Sequence, residues 1–166
     1  MKRLLCTAAC IFAVLHAFAE ERSFTSPDGK IMVTVNDNDG KPTYSVSYDG
    51  EEFILPSPLG LNTSLGEYVT DMTLLPEKDA PKLIEEEYSV RTIKQSKVNY
   101  KATEAVFTFA TEEKAAFDVI FRVSDRDVAF RYKVYPKRDT RSAVVYSEAT
   151  GFQLSKGSTS FLCPQV

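Results

Sequence analysis

Ser26 to Leu61 reads SPDGKIMVTVNDNDGKPTYSVSYDGEEFILPSPLGL. Ile31, Val33 and Val35 alternate with Met32 and Thr34, and Tyr44, Val46 and Tyr48 alternate with Ser45 and Ser47. Successive side chains on a strand point to opposite faces, so each run offers one face to a core. Asp49-Gly50 separates the second run from Glu51–Leu55. Both residue types tolerate positive φ, and the dipeptide predicts a two-residue hairpin. Pro56 and Pro58 bracket a serine and predict a path off the ladder, at an edge or a corner. Two amphipathic strands, a hairpin and a proline corner in 36 residues predict an all-β fold.

The same period continues downstream. Phe117, Val119, Phe121 and Val123 alternate with Asp118, Ile120 and Arg122. After the turn Ser124-Asp125-Arg126-Asp127, Val128, Phe130, Tyr132 and Val134 alternate with Ala129, Arg131 and Lys133. Leu83 to Val98 carries helix-compatible glutamates, but Tyr88, Val90 and Thr92 fit a strand better. Many short strands joined by tight turns predict an antiparallel β-sandwich.

The first 19 residues read differently. Lys2 and Arg3 precede an apolar run from Leu4 to Leu15, and Ala17-Phe18-Ala19 is a small-x-small cleavage signal. This is a secretory leader, with Glu20 as the first mature residue, and it predicts an exported, periplasmic protein. The apolar run falls short of the about 20 residues of a membrane span. A lipoprotein attachment would use Cys10 in Thr7-Ala8-Ala9-Cys10, which leaves almost no apolar core before it. Residues 20–166 then form one domain.

Removing the leader removes the only histidine, His16, together with Cys6 and Cys10, and leaves Cys163 alone. Without histidine there is no Ser-His or Cys-His catalytic pair and no histidine-bearing metal site. One cysteine cannot form an internal disulfide. Loss of Lys2 and Arg3 takes the formal net charge of −3 two units further negative. Such a surface repels phosphate backbones and predicts no nucleic-acid partner.

Several clusters have a chemical reading and a plainer one. Asn36-Asp37-Asn38-Asp39-Gly40 resembles a calcium loop, but with Gly40 sixth the first ligand would be Val35, so a solvated turn is expected. Glu85-Glu86-Glu87 and Glu112-Glu113 place carboxylates side by side. Neighbours on a strand face opposite ways and do not make the facing pair that glycoside hydrolysis needs. Asp125 and Asp127 flank a turn. No catalytic and no metal-ligating residue is assigned. Tyr44, Tyr48 and Tyr132 lie on the apolar phase and are read as core. Arg131, a charge in mid-strand, faces solvent by alternation or pairs with a covering domain.

The order of these features is similar to the N-terminal β-domain of glycoside hydrolase family 97, a Bacteroides-type α-glucosidase and α-galactosidase family. Ser26-Pro27-Asp28-Gly29-Lys30 resembles its first strand, and Tyr44–Gly50 with Ser57-Pro58-Leu59-Gly60-Leu61 its first hairpin. Asp127-Val128-Ala129-Phe130-Arg131-Tyr132 resembles a later strand, and Thr150-Gly151-Phe152 with Phe161–Gln165 the approach to the domain's end.

The resemblance implies an antiparallel β-supersandwich of the galactose-mutarotase-like kind. It also implies a role in polysaccharide utilisation beside a catalytic (β/α)₈ barrel that uses calcium. Such a barrel needs roughly 250 residues, so with the chain stopping at Val166 the barrel is expected to be missing and the sandwich incomplete at its C-terminus. On this reading the chain is non-catalytic and supports that barrel. Two alternatives stay open: a stand-alone module binding an α-linked oligosaccharide, and a ligand-free structural periplasmic domain.

Overall fold

The computed structural model describes residues 20–91, 96–112, 114–137 and 142–159. Among these lie thirteen strands and one 3₁₀ turn, Asn38–Gly40. The first sheet holds β1 (Glu21–Thr25), β2 (Ile31–Asn36), β3 (Thr43–Tyr48), β4 (Glu51–Pro58) and β13 (Gln153–Leu154), adjacent in that order. The second runs β11 (Val128–Val134), β10 (Lys114–Ser124), β9 (Lys97–Thr111) and β7 (Thr73–Leu74), with β8 (Lys82–Ser89) also paired to β9. A small third sheet joins β12 (Val145–Glu148), β5 (Leu61–Thr63) and β6 (Gly66–Tyr68). All pairings are antiparallel.

Local rules account for the strands. Asp49 and Gly50 have φ of 51° and 85°, the two positive values that a twist-matched two-residue hairpin demands. The β2–β3 register sets Val33 opposite Val46 and Val35 opposite Tyr44, all buried on one face. On β10, Phe117, Val119, Phe121 and Val123 are fully buried. The two main sheets stack face to face through their rings. Phe24 of β1 lies 5.7 Å from Phe107 of β9, and Tyr44 of β3 lies 5.9 Å from Phe121 of β10. These are favourable offset and tilted separations, and the arrangement is an antiparallel β-sandwich. Glu85, Glu86 and Glu87 lie on β8 with Tyr88, so Lys82 to Ser89 is strand; Val90 follows it, and Thr92 lies outside the described residues.

Four local readings are corrected or refined by the structure. The proline segment stays in the sheet: Pro58 pairs with Thr43, and β4 is flanked by β3 and β13. Pro56 lies where the β3–β4 register breaks between Tyr44 and Val46, so it removes no ladder bond there, and Pro58 is the last residue of β4. Tyr48, the last residue of β3 before the hairpin, is 51% exposed. Asp118, on the outward phase of β10, is only 4% exposed. It is covered by Thr108 Oγ1 and Tyr135 Oη, which donate to it at 2.8 and 2.9 Å. The Asn36–Gly40 turn is solvated at its tip, where Asn38 and Asp39 are exposed, while Asn36 at the end of β2 is buried and its Oδ1 accepts from Asn38 N–H and Thr43 Oγ1–H.

β11 shows the alternation plainly. Val128, Phe130, Tyr132 and Val134 face inward and are half-buried, while Ala129, Arg131 and Lys133 are exposed. Burial is only partial because β11 is the last strand of its sheet. Arg131→Ala should therefore change folding stability by under about 0.5 kcal/mol, as surface substitutions do. Urea denaturation checks this, and a loss above 1 kcal/mol would reveal a buried ion pair instead.

Candidate functional site

The carboxylates are drawn into structural bonds. Arg122 on β10 gathers Glu104 at 2.7 Å and Glu86 at 3.3 Å, and Glu85 pairs with Lys101 at 3.1 Å. Asp127 accepts from Ser124 Oγ at 2.7 Å, and Asp125 accepts from the Asp28 N–H at 2.9 Å. The Asp28 carboxyl is held below its usual range, first by the Ser26 hydroxyl and then by the Lys30 N–H. A glycosidase acid needs the opposite shift. Glu112 sits in the β9–β10 turn at φ 45°, and Glu113 lies outside the described residues. Calcium takes six to eight oxygen ligands. Among the described residues no three His, Cys, Asp or Glu side chains group closely enough to hold a metal ion.

Two surfaces have the character of contact sites. The first is an open cleft of about 400 Å³ between the β3–β4 hairpin and the β10–β11 turn. Tyr48 and Phe53 are exposed along it, with Ile31, Ile54, Asp125 and Arg126 among the other walls. Flat rings beside polar groups are what a pyranose ring stacks on.

The second was not legible in the sequence. The stretch from Val144 to Leu154 runs antiparallel along residues 54 to 64 almost without a break. Ser64 N–H donates to the Val144 carbonyl at 2.8 Å, Ala149 N–H to Gly60 at 2.9 Å and Gly151 N–H to Pro58 at 3.0 Å. β12 and β13 are its regular parts. Two tyrosines, Tyr44 buried and Tyr132 half-buried, fasten its middle. Tyr44 Oη donates to the Gly151 carbonyl at 3.1 Å, while Tyr132 Oη accepts from Gly60 N–H at 3.0 Å and bonds Thr150 Oγ1 at 2.7 Å. Burial pushes the Tyr44 phenol up to about 12 and raises that of Tyr132, so both stay neutral. β12 and β13 each end their sheets, so the far edge of the strap meets no strand among the described residues. Val144, Val145, Tyr146, Phe152 and Leu154 stand exposed on it, Tyr146 at 66% and Phe152 at 64%. Such an apolar edge marks an interaction surface or an aggregation template.

Comparison with known proteins places this sandwich. A model of the glycosyl-hydrolase 97 N-terminal family matches residues 24–166. The chain belongs to that family. The domain is 29% identical over 163 residues to a probable retaining alpha-galactosidase of Streptomyces bingchenggensis (strain BCW-1). That match takes in 93% of this chain and 24% of the relative. Among solved structures, a beta-arabinopyranosidase is 38% identical with a TM-score of 0.79, over 87% of this chain and 23% of that one. A glycoside hydrolase family 97 enzyme from Pseudoalteromonas sp. strain K8, solved in complex with panose, has a TM-score of 0.72. It is 22% identical, over 81% of this chain and 20% of its own, and shares the fold. The family 97 N-terminal domain thus spans about a quarter of the length of the relatives it matches.

Within the domain, Arg131 lies exposed on the outer face of β11, bordering a shallow depression with Ile120, Arg122 and Ala129. Glu20 is the first described residue. Ala17, Ala19, Cys10 and Cys163 lie outside the described residues. Among the described residues no helix is long and apolar enough to cross a membrane.

Proposed function

We propose that this chain is the non-catalytic N-terminal sandwich of an exported, periplasmic family 97 glycosidase. It supports a catalytic α-glycosidase barrel, and calcium is held by the barrel. The observation that carries this reading is the strap from Val144 to Leu154, an unpaired edge lined with exposed apolar side chains. Burying Tyr146 and Phe152 against a second domain removes that surface from water at roughly 25 cal/mol per Å². Arg131, on the outer face, is available to pair with an acidic group of that domain.

The cleft beside Tyr48 and Phe53 supports a second reading, a module that binds an α-linked oligosaccharide. Thermal melts separate the two. A separately expressed family 97 barrel should stabilise the chain by about 2.7 kcal/mol at a hundredfold excess over Kd, and maltose or melibiose should leave it unchanged. A monomer that sugar stabilises and the barrel does not would give the module instead. Nitrophenyl α-glucoside and α-galactoside with calcium should stay intact in the presence of this chain alone. Turnover that disappears on mutating one of its carboxylates would overturn the non-catalytic role.

A further inference from the structure

Glu20 is tied down at its backbone nitrogen, which donates to Asp37 Oδ1 at 2.9 Å. Asp37 sits at the start of the 3₁₀ turn after β2. Its other oxygen, Oδ2, accepts the N–H of Leu74 in β7 at 2.8 Å. One carboxylate therefore joins the start of the chain's first strand to the second sheet. Arg22 on β1 reinforces the same crossing: its guanidinium donates to the Leu75 carbonyl and lies 5.8 Å over the Phe107 ring. Arg22 Nε is 3.3 Å from Glu20 Oε1 but makes no aligned hydrogen bond there, so that contact is electrostatic.

Two independent observations meet at the Glu20 nitrogen. The leader signal Ala17-Phe18-Ala19 puts a cut between Ala19 and Glu20. The fold puts the nitrogen that this cut releases already on a carboxylate. Hydrolysis breaks the Ala19 C–N bond. Water supplies OH to the Ala19 carbonyl carbon and H to the Glu20 nitrogen, and the new amine takes up a further proton near neutral pH. An uncharged single donor thereby becomes a charged triple donor without moving. The amide hydrogen bond to Asp37 is already charge-assisted through the carboxylate, and protonation of the new amine adds an attraction between opposite charges at the same 2.9 Å contact.

We propose that Asp37 is the receptor for the α-ammonium group of processed Glu20, so that removal of the leader completes an ion pair locking β1 across both sheets. This rests on the leader reading above. The charged groups facing the nitrogen are the Asp37 carboxylate, the side chain of Glu20 itself and its partner Arg22. Leu74 and Leu75 bring only backbone groups from the second sheet.

The test exports the full chain and a version with Gly-Ser inserted between Ala19 and Glu20, each with and without Asp37→Asn. Intact mass first locates the cut. A product of the unextended chain that does not begin at Glu20 overturns the leader reading, and the comparison then uses chains released at Glu20, or at the inserted Gly, by a site-specific protease. The extension makes the Glu20 nitrogen an amide again. It should lower Tm by about 2–4 °C, and Asp37→Asn should abolish that difference. Reductive methylation of the α-amine at neutral pH should run about tenfold slower with Asp37 than with Asp37→Asn, the effect of one unit in pKa. An extension penalty that persists in Asp37→Asn, or equal labelling rates, would overturn the proposal. If Asp37→Asn does not fold, the α-amine pKa of the unmutated product decides. A value higher in the native state than in denaturant supports the ion pair, and equal values refute it.

Discussion

Phe121→Ala is expected to cost about 3–5 kcal/mol of folding stability, the range for removing a buried aromatic ring. Phe121 sits mid-strand on β10, fully buried, where both main sheets meet. Its ring centroid lies 6.1 Å from Phe24, 5.9 Å from Tyr44, 5.9 Å from Phe107 and 5.1 Å from Phe130. Those rings come from β1, β3, β9 and β11, so one truncation opens a void that four strands line. They cannot collapse into it without breaking register, since Phe121 pairs with Ala105 on one side and Phe130 on the other. Chemical denaturation should show a lower midpoint with an unchanged slope. A cost under 1 kcal/mol would mean that the sheets are not packed through this ring. Alternation alone would assign Phe130 the same cost. Phe130→Ala should cost less, because β11 is the last strand and its inner face is only half covered.

The second large effect is expected at Gly60, where alanine should cost about 3 kcal/mol or more. Gly60 has φ of +146°, which side-chain-bearing residues rarely adopt. A Cβ there would stand 2.5 Å from the Tyr68 carbonyl oxygen and 3.2 Å from Val69 Cα, both backbone atoms of the adjacent β6 segment. Strain of about 1–3 kcal/mol adds to overpacking of about 1–3 kcal/mol. Relaxation is blocked because Gly60 is held at both ends of its peptide: its N–H donates to Tyr132 Oη and its carbonyl accepts from Ala149. Gly50→Ala is the control, with positive φ but nothing within 4 Å of the added carbon. Thermal melts of both variants should rank Gly60 well above Gly50. Equal shifts would mean that the Leu59–Leu61 corner has room to move.

The strap that forms the candidate docking edge escaped the sequence because its residues lack a strand signature. Val144–Tyr146 is short, and Thr150-Gly151 interrupts the run before Phe152. Its order comes from partners about 80 to 100 positions away, such as Ser57, whose Oγ accepts the Gln153 N–H at a separation of 96 residues. Tyr48 was read as core for a related reason. Period-two alternation reports which face a residue is on, and it carries no information about where along the strand that face is covered.

By itself the sequence determined the all-β class, the hairpin at Asp49-Gly50, the inward faces of β2, β3, β10 and β11, and the outward Arg131. These are consequences of strand geometry and of backbone preferences at single residues, both set within a few positions along the chain. Only the tertiary structure decided which faces are covered and which edges are left bare. It put Pro58 into a ladder, turned Asp37 into a clamp between sheets, buried Asp118 on an outward phase and exposed the aromatic edge at Tyr146 and Phe152. Each of these depends on a segment distant in sequence arriving at a particular place, and burial and hydrogen-bond pairing are properties of that meeting rather than of either segment alone.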